Sequence, residues 1–446
     1  MKLNPELLRY SWLEFSTHRL IAMPVVIGMI LYLCSQSTPP EEIIASAAQS
    51  IFVLLIGLWG GHKAAEAVID EVNESTWDFQ RLSSLSPASL TIGKLLGSPS
   101  YCWYGGCMAL IAYIWVIFQS VSAYYLLCNV LLLVVSGLIC HASALLSSLQ
   151  AVQVRTQARG KMRVVGHQIL GILVGSSFLM GLIPQREVWR IMASNNTVYP
   201  QVQWYGATYE LTGFIACLAV IVLFWLLAGV YWQMRAQLKM RTGPWLWAAF
   251  VLFVMAYMAG FSNFDEFAPN MPATMPLIGF SVAMVSLYLM VFLEPWSGVY
   301  YRKLLDSWKN RNKAALMNLF PRWVVSLLFA VIAAILVVVM ADKPVISMAV
   351  LACLAFAVRD IALLHYFTLQ PGTRRATAAA LFYLAVLYFL IPSLLGVLHL
   401  VDLLPLFMPV PHTLQVGTAV LSLLSASTQA AFLLLLTFRR WKQYWQ

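Results

Sequence analysis

Charge is scarce in this chain. Only 10% of its 446 residues are Asp, Glu, Lys or Arg, while 61% are hydrophobic and the mean hydropathy is +0.77. A soluble domain is nearer half apolar and a quarter charged, so the composition excludes that class and indicates an integral membrane protein. Paired cysteines are also lacking. Cys34, Cys102, Cys107, Cys128, Cys140, Cys217 and Cys353 lie in or beside apolar runs with no CxxC spacing, and they read as small apolar residues rather than a metal or disulfide framework. There is no HExxH zinc motif and no GxSxG nucleophile elbow. The phosphate-binding pattern GxxxxGK[ST] is missing too. Gly93-Lys94 looks like its tail, but Leu95 replaces the hydroxyl residue and Ala88 sits where the first glycine should be. No catalytic residues, metal or cofactor are therefore expected in this chain. Glu6 and Glu14 interrupt the first seventeen residues, and no small-residue cleavage site follows the first apolar run, so a cleaved signal peptide is not expected.

What the chain has is apolar length. Runs of roughly spanning size fall at about Leu20–Cys34, Ile43–Gly61, Tyr101–Ser120, Tyr124–Leu149, Val165–Ile183 and Leu211–Tyr231. After a basic linker, Arg235 to Arg241, come Pro244–Phe261, Met275–Leu293, Trp323–Met340, Val345–Tyr366, Ala376–Leu398 and Thr413–Phe438. The fold class expected is an all-α integral membrane protein of about twelve transmembrane helices, arranged as two six-helix halves, 1–243 and 244–446. The net charge of +10 supports this count and an orientation with both termini cytoplasmic. All but Arg186, Arg190 and Lys343 of the 28 Lys and Arg then fall in or near cytoplasmic segments, as the positive-inside rule requires. The loop lengths repeat between the sets. A long cytoplasmic loop follows the second span of each, Glu66–Gly97 and then Glu294–Arg322, and an outward loop precedes the sixth. The first such outward loop, Gln185–Glu210, is long enough for a short helix.

The longest polar interval, residues 66–97, reads EAVIDEVNESTWDFQRLSSLSPASLTIGKLLG. Ser86 is placed to cap a helix whose first position Pro87 fits, and Gly97-Ser98-Pro99 is placed to stop it. Leu90, Leu95 and Leu96 give that helix an apolar side, and Lys94, Asp78 and Arg81 give charge. Upstream, Asn4-Pro5-Glu6 starts a helix with Leu8, Trp12 and Phe15 on one face and Glu6 and Arg9 elsewhere, which reads as an amphipathic helix in the membrane interface.

Ionisable residues within spans are costly in lipid and often mark ion pathways. His141 lies in the fourth run, and Arg359 and Asp360 lie in the tenth with His365 beyond them. Arg359 can snorkel and Asp360 can pair locally, so a structural reading is favoured, and no acidic residue falls convincingly at mid-membrane. Aromatic residues at run ends, such as Trp103-Tyr104 and Tyr300-Tyr301, suit interfacial belts. Asn195-Asn196-Thr197 matches a glycosylation sequon, and Asp265-Glu266 gives another outward loop a negative spot.

The 66–97 stretch resembles the coupling segment of type-2 ABC transporter permeases, the membrane subunits of many ABC exporters. The matching residues are Glu71, Thr76, Leu82, Ser84, Ser86, Pro87, Gly93, Lys94 and Leu95, with Ser75 where the family usually has glycine. The resemblance implies a separate cytoplasmic ATPase subunit that binds ATP, a bacterial cytoplasmic (inner) membrane, and export of an amphipathic or lipid-like substrate. It also implies that the ATPase presses on the Ser86–Leu96 helix. Trp77 and Phe79 are then either anchors in an ATPase groove or aromatics resting in the lipid interface, and Asp78, Arg81 and Lys94 set register by charge. The second half departs from the pattern, because Glu294–Arg322 has no Gly-Lys-Leu and is much more basic. The other readings are an ATPase-independent secondary transporter or lipid scramblase, a membrane anchor or assembly protein, and an intramembrane enzyme. A secondary transporter does not need the 66–97 segment, a polar path between the halves would count against an anchor, and an enzyme lacks paired nucleophile, base or metal ligands here.

Overall fold

The computed structural model describes residues 4–118, 121–154, 162–179, 200–261, 274–294, 298–369, 376–408 and 415–445. By contacts the chain divides into two compact units, Met1–Gln203 with Ala207–Thr242, and Trp204–Gly206 with Gly243–Gln446.

The first unit opens with α1 (Pro5–Glu14), started by Asn4, whose side chain accepts from the Glu6 amide, with Pro5 at the first helical position. Then follow α2 (Thr17–Ser35) and the long α3 (Pro40–Asn73). Two short helices come next, α4 (Trp77–Leu82) and α5 (Pro87–Ile92). α5 continues through a π turn, Gly93–Gly97, and after a break at Ser98-Pro99 the chain enters α6 (Ser100–Ile117). α7 (Ala123–Val154), α8 (Val165–Leu179) and α9 (Leu211–Gln237) complete the unit. A hairpin of β1 (Gln201–Trp204) and β2 (Ala207–Glu210) precedes α9. That hairpin is the described part of the loop in which a short helix was expected. The rest of that loop, the sequon and Asp265-Glu266 lie outside the described residues.

Helix α3 contains a π turn, Val53–Gly60, that loosens its backbone ladder. Neighbouring side chains take up the freed carbonyls. His141 Nε2 lies 2.8 Å from the Ile56 oxygen, Cys140 Sγ donates to Gly57 and Gln168 Nε2 donates to Leu58. Close helix packing comes from small residues, as is usual where lipid supplies no hydrophobic drive between helices. A Cβ on Gly171 or Gly175 would sit 2.7 Å from α7 atoms of Cys140, so this i,i+4 glycine pair lets α8 lie directly on α7.

The second unit holds α10 (Trp245–Ala259), α11 (Thr274–Leu293), α12 (Gly298–Lys309), α13 (Lys313–Leu319), α14 (Arg322–Met340), α15 (Pro344–Thr368), α16 (Ala376–Val397) and α17 (Val416–Trp445). Its core is built from small and branched residues, among them Ala283, Ala330, Ala333, Ala334 and Val350.

Ten described helices are long and apolar enough to cross a membrane. The other two expected runs, α8 and α10, are apolar helices of 15 residues each. At 1.5 Å per residue α10 rises only about 22 Å, short of a hydrocarbon core of about 30 Å, whereas α8 runs to the edge of the described residues at Leu179. The protein is a multi-pass helical membrane protein.

Candidate functional site

The feature that sets the first unit apart is a knot of four buried or half-buried charges where α1, α3 and the 93–97 turn meet. Lys94 is fully buried, and its Nζ lies 2.5 Å from Glu71 Oε2, 3.3 Å from Glu6 Oε1 and 3.1 Å from the Ala67 carbonyl. Arg9 closes the ring from outside, 2.7 Å from Glu6 and 2.8 Å from Glu71. Gln80 on α4 donates to the same Glu71 carboxylate at 2.6 Å. The charges sum to zero. Such a group holds only while every member is present, because removing one partner strands a buried charge.

The local sequence explains the close approach. Gly93 and Gly97 are one turn apart, as are Glu6 and Tyr10, and the two pairs face each other. A Cβ on Gly93 would meet Glu6 Cβ and Cγ at 2.5 Å, and one on Gly97 would meet Tyr10 Cδ2 at 2.9 Å. The glycines therefore make the seat for α1, and Lys94 between them makes the lock. Asn4 adds a reciprocal pair, donating to the Ser89 carbonyl and accepting from Ser89 Oγ, both at 2.8 Å. Burial would raise the Glu6 pKa, but Arg9 and Lys94 outweigh it and hold Glu6 below its usual range. Burial draws the Lys94 ammonium below the usual lysine range, against the pull of Glu71 and Glu6. Tyr10 is pushed up, chiefly by burial.

This arrangement changes the reading of several expected site residues. Helix α1 is amphipathic, but its polar side faces inward. Glu6 and Tyr10 are buried, while Trp12 is 84% exposed. Lys94 stands at 0% exposure, so it braces the segment from within and sets no register on an outer surface. Trp77 belongs to the fold as well. It is buried beside Val68, Leu90, Leu145 and Met234, with Lys94 Nζ 5.2 Å from its ring. Phe79 and Leu82, in contrast, are 77% and 85% exposed on the same short helix. Asp78 is exposed and pairs with Arg81 at 2.9 Å, and Arg81 Nε donates to the Gln237 carbonyl, tying α4 to the end of α9. Ser86 caps α5 by accepting from the Ser89 amide, and Pro87 occupies its first position. The sequence placed Glu6 and Arg9 on the polar face of α1 and Gly97 at a helix stop, but not their junction with Tyr10, Glu71 and Lys94. The available signal was the matched one-turn spacing of Glu6/Tyr10 and Gly93/Gly97.

The polar residues within spans fall into two groups. His141 supports the α3 π turn; Nε2 carries the proton that Ile56 accepts, and Nδ1 has no hydrogen-bond partner. Arg359 and Asp360 form a buried ion pair at 2.8 Å that joins four helices of the second unit. Asp360 Oδ2 accepts from Tyr288 of α11 at 2.7 Å and Tyr388 of α16 at 2.8 Å, and Arg359 Nη1 donates to Gln429 of α17. Arg359 does not snorkel; it is 1% exposed and lies over the Phe356 and Tyr388 rings. No group of three or more His, Cys, Asp or Glu among the described residues is placed to hold a metal.

The chain matches no protein-family model, no curated protein and no solved structure.

Proposed function

We propose that this chain is the permease subunit of an ATP-driven exporter of the type-2 ABC class. ATP is bound by a separate cytoplasmic ATPase, and an amphipathic or lipid-like substrate crosses the bundle. On this reading α8 and α10 complete a set of twelve spans in two parallel halves, both termini are cytoplasmic, and the membrane is a bacterial inner membrane. The observation that carries the proposal is the exposed pair Phe79 and Leu82, one turn apart on α4 and braced beneath by the buried charge knot. An apolar knob on a rigid support is what a moving partner needs to press against, since loose segments absorb a push. Asp78 flanks the knob with charge.

The test is purification of the tagged chain in mild detergent from its native host. A stoichiometric P-loop ATPase is expected with the wild type. It is expected to be lost in the Phe79→Ala/Leu82→Ala variant, whose thermal stability should be unchanged because both side chains are exposed. Trp77→Ala serves only as a folding control, since truncating a buried Trp costs about 3–5 kcal/mol. An intact chain with no ATPase, even after cross-linking in membranes, contradicts the proposal. It would favour the second reading, an ATPase-independent secondary transporter or lipid scramblase, which the buried Arg359–Asp360 pair within a span supports.

A further inference from the structure

We propose that α12 and the turn into α13 form a binding surface for the headgroups of anionic phospholipids. Between residues 298 and 313 stand Arg302, Lys303, Lys309, Arg311 and Lys313, all exposed, against the single acid Asp306. The segment is held at the membrane surface from both ends, because it follows the span α11 and leads into the span α14 at Arg322. Its apolar residues recur at helical spacing: Tyr300, Tyr301, Leu304, Leu305 and Trp308. This face starts on the protein. Tyr300 donates to the Leu319 carbonyl, and Tyr301 OH lies 2.9 Å from His365 Nε2 of α15. It then runs off the bundle. Leu305 is 36% exposed and Trp308 is 67% exposed, with Arg302 and Lys309 flanking this face at helical spacing and Lys303 opposite it.

A helix that is apolar on one side, basic beside and opposite it, and ends in an uncovered Trp suits the headgroup boundary of a bilayer. The charge balance selects the lipid. A zwitterionic surface satisfies Leu305 and Trp308 alone, whereas an anionic one also attracts each basic residue near it, within about a Debye length of the headgroups. An acidic protein would answer the charges but leave Trp308 without a role.

The test is hydrogen exchange on the full chain in lipid nanodiscs, either phosphatidylcholine alone or phosphatidylcholine mixed with phosphatidylglycerol. Amides of residues 300–316 are expected to exchange about tenfold more slowly in the anionic discs at low salt, and the difference should shrink as salt is raised. A variant carrying Lys303→Gln, Lys309→Gln, Arg311→Gln and Lys313→Gln should exchange alike in both discs. Unchanged exchange in α15 would show that it is folded. Equal exchange of the wild type in both lipids overturns the proposal, as does slowing that survives in the variant. Protection that requires an added acidic protein rather than the anionic lipid overturns it in favour of a protein partner.

Discussion

At the scale of single residues, the charge knot and the turn beside it make separate demands. α3 ends in a Schellman turn: the Ser75 amide donates to Val72 and the Thr76 amide donates to Glu71. Ser75 stands at φ 63°, in the left-handed region that glycine enters freely and other residues enter at a cost of about 1–2 kcal/mol. Ser75→Gly is therefore expected to stabilise the first unit by about 1 kcal/mol, read as a higher melting midpoint, because relief of strain exceeds the added freedom of the unfolded chain. Glu6 gives a pH dependence of definite sign. Its folded pKa lies below its unfolded one, so its contribution is complete above the ordinary glutamate pKa and is lost as pH falls through the lower folded value. Proteolysis of the N-terminal helix should stay slow through that upper range and accelerate only at more acidic pH. Acceleration on the alkaline side would show that Glu6 is not the controlling group.

At the scale of elements, the second unit depends on one ion pair as a junction. Asp360→Asn would leave Arg359 buried and uncompensated among α11, α15, α16 and α17, and is expected to cost about 3–5 kcal/mol. The double change Arg359→Gln/Asp360→Asn, which removes both charges and keeps hydrogen-bonding groups, should melt closer to the wild type than the single change. The converse order would mean that the pair is not what holds these helices. Much of the helix layout was legible in the sequence, because an apolar run of spanning length has few alternatives in lipid. The C-terminal end of α3 was not. Glu66–Asn73 reads as polar loop, yet it continues the helix, since Ala64, Ala65, Val68 and Ile69 stay buried while Glu66 pairs with Lys63 and Glu71 with Lys94 and Arg9. Ser86 and Pro87 did mark the start of α5, because a cap acts through its nearest neighbours alone. The inward turn of Glu6 and Lys94 was hidden because it depends on partners more than 80 residues apart in sequence, which no local pattern reports.

At the scale of the molecule, the two units carry different segments between their long helices. The first carries a short, braced segment with an exposed apolar knob. The second carries one basic helix, α12, a short helix α13 opened by Lys313, and no Gly-Lys-Leu. On the proposed function, the first would take the mechanical input and the second would contact lipid. The central claim is that α1, the end of α3 and residues 76–97 move as one body because Lys94 locks them. Hydrogen exchange of the wild type and Lys94→Met, in the same nanodiscs, tests this directly. Methionine keeps the length of the side chain but leaves two buried carboxylates, Glu6 and Glu71, sharing the single cation Arg9. The account predicts that amides of α1 and of residues 76–97 lose protection together and to a similar degree, while α14 and α15 are unchanged. Loss confined to α1, or no loss at all, would contradict it and leave residues 76–97 without their brace.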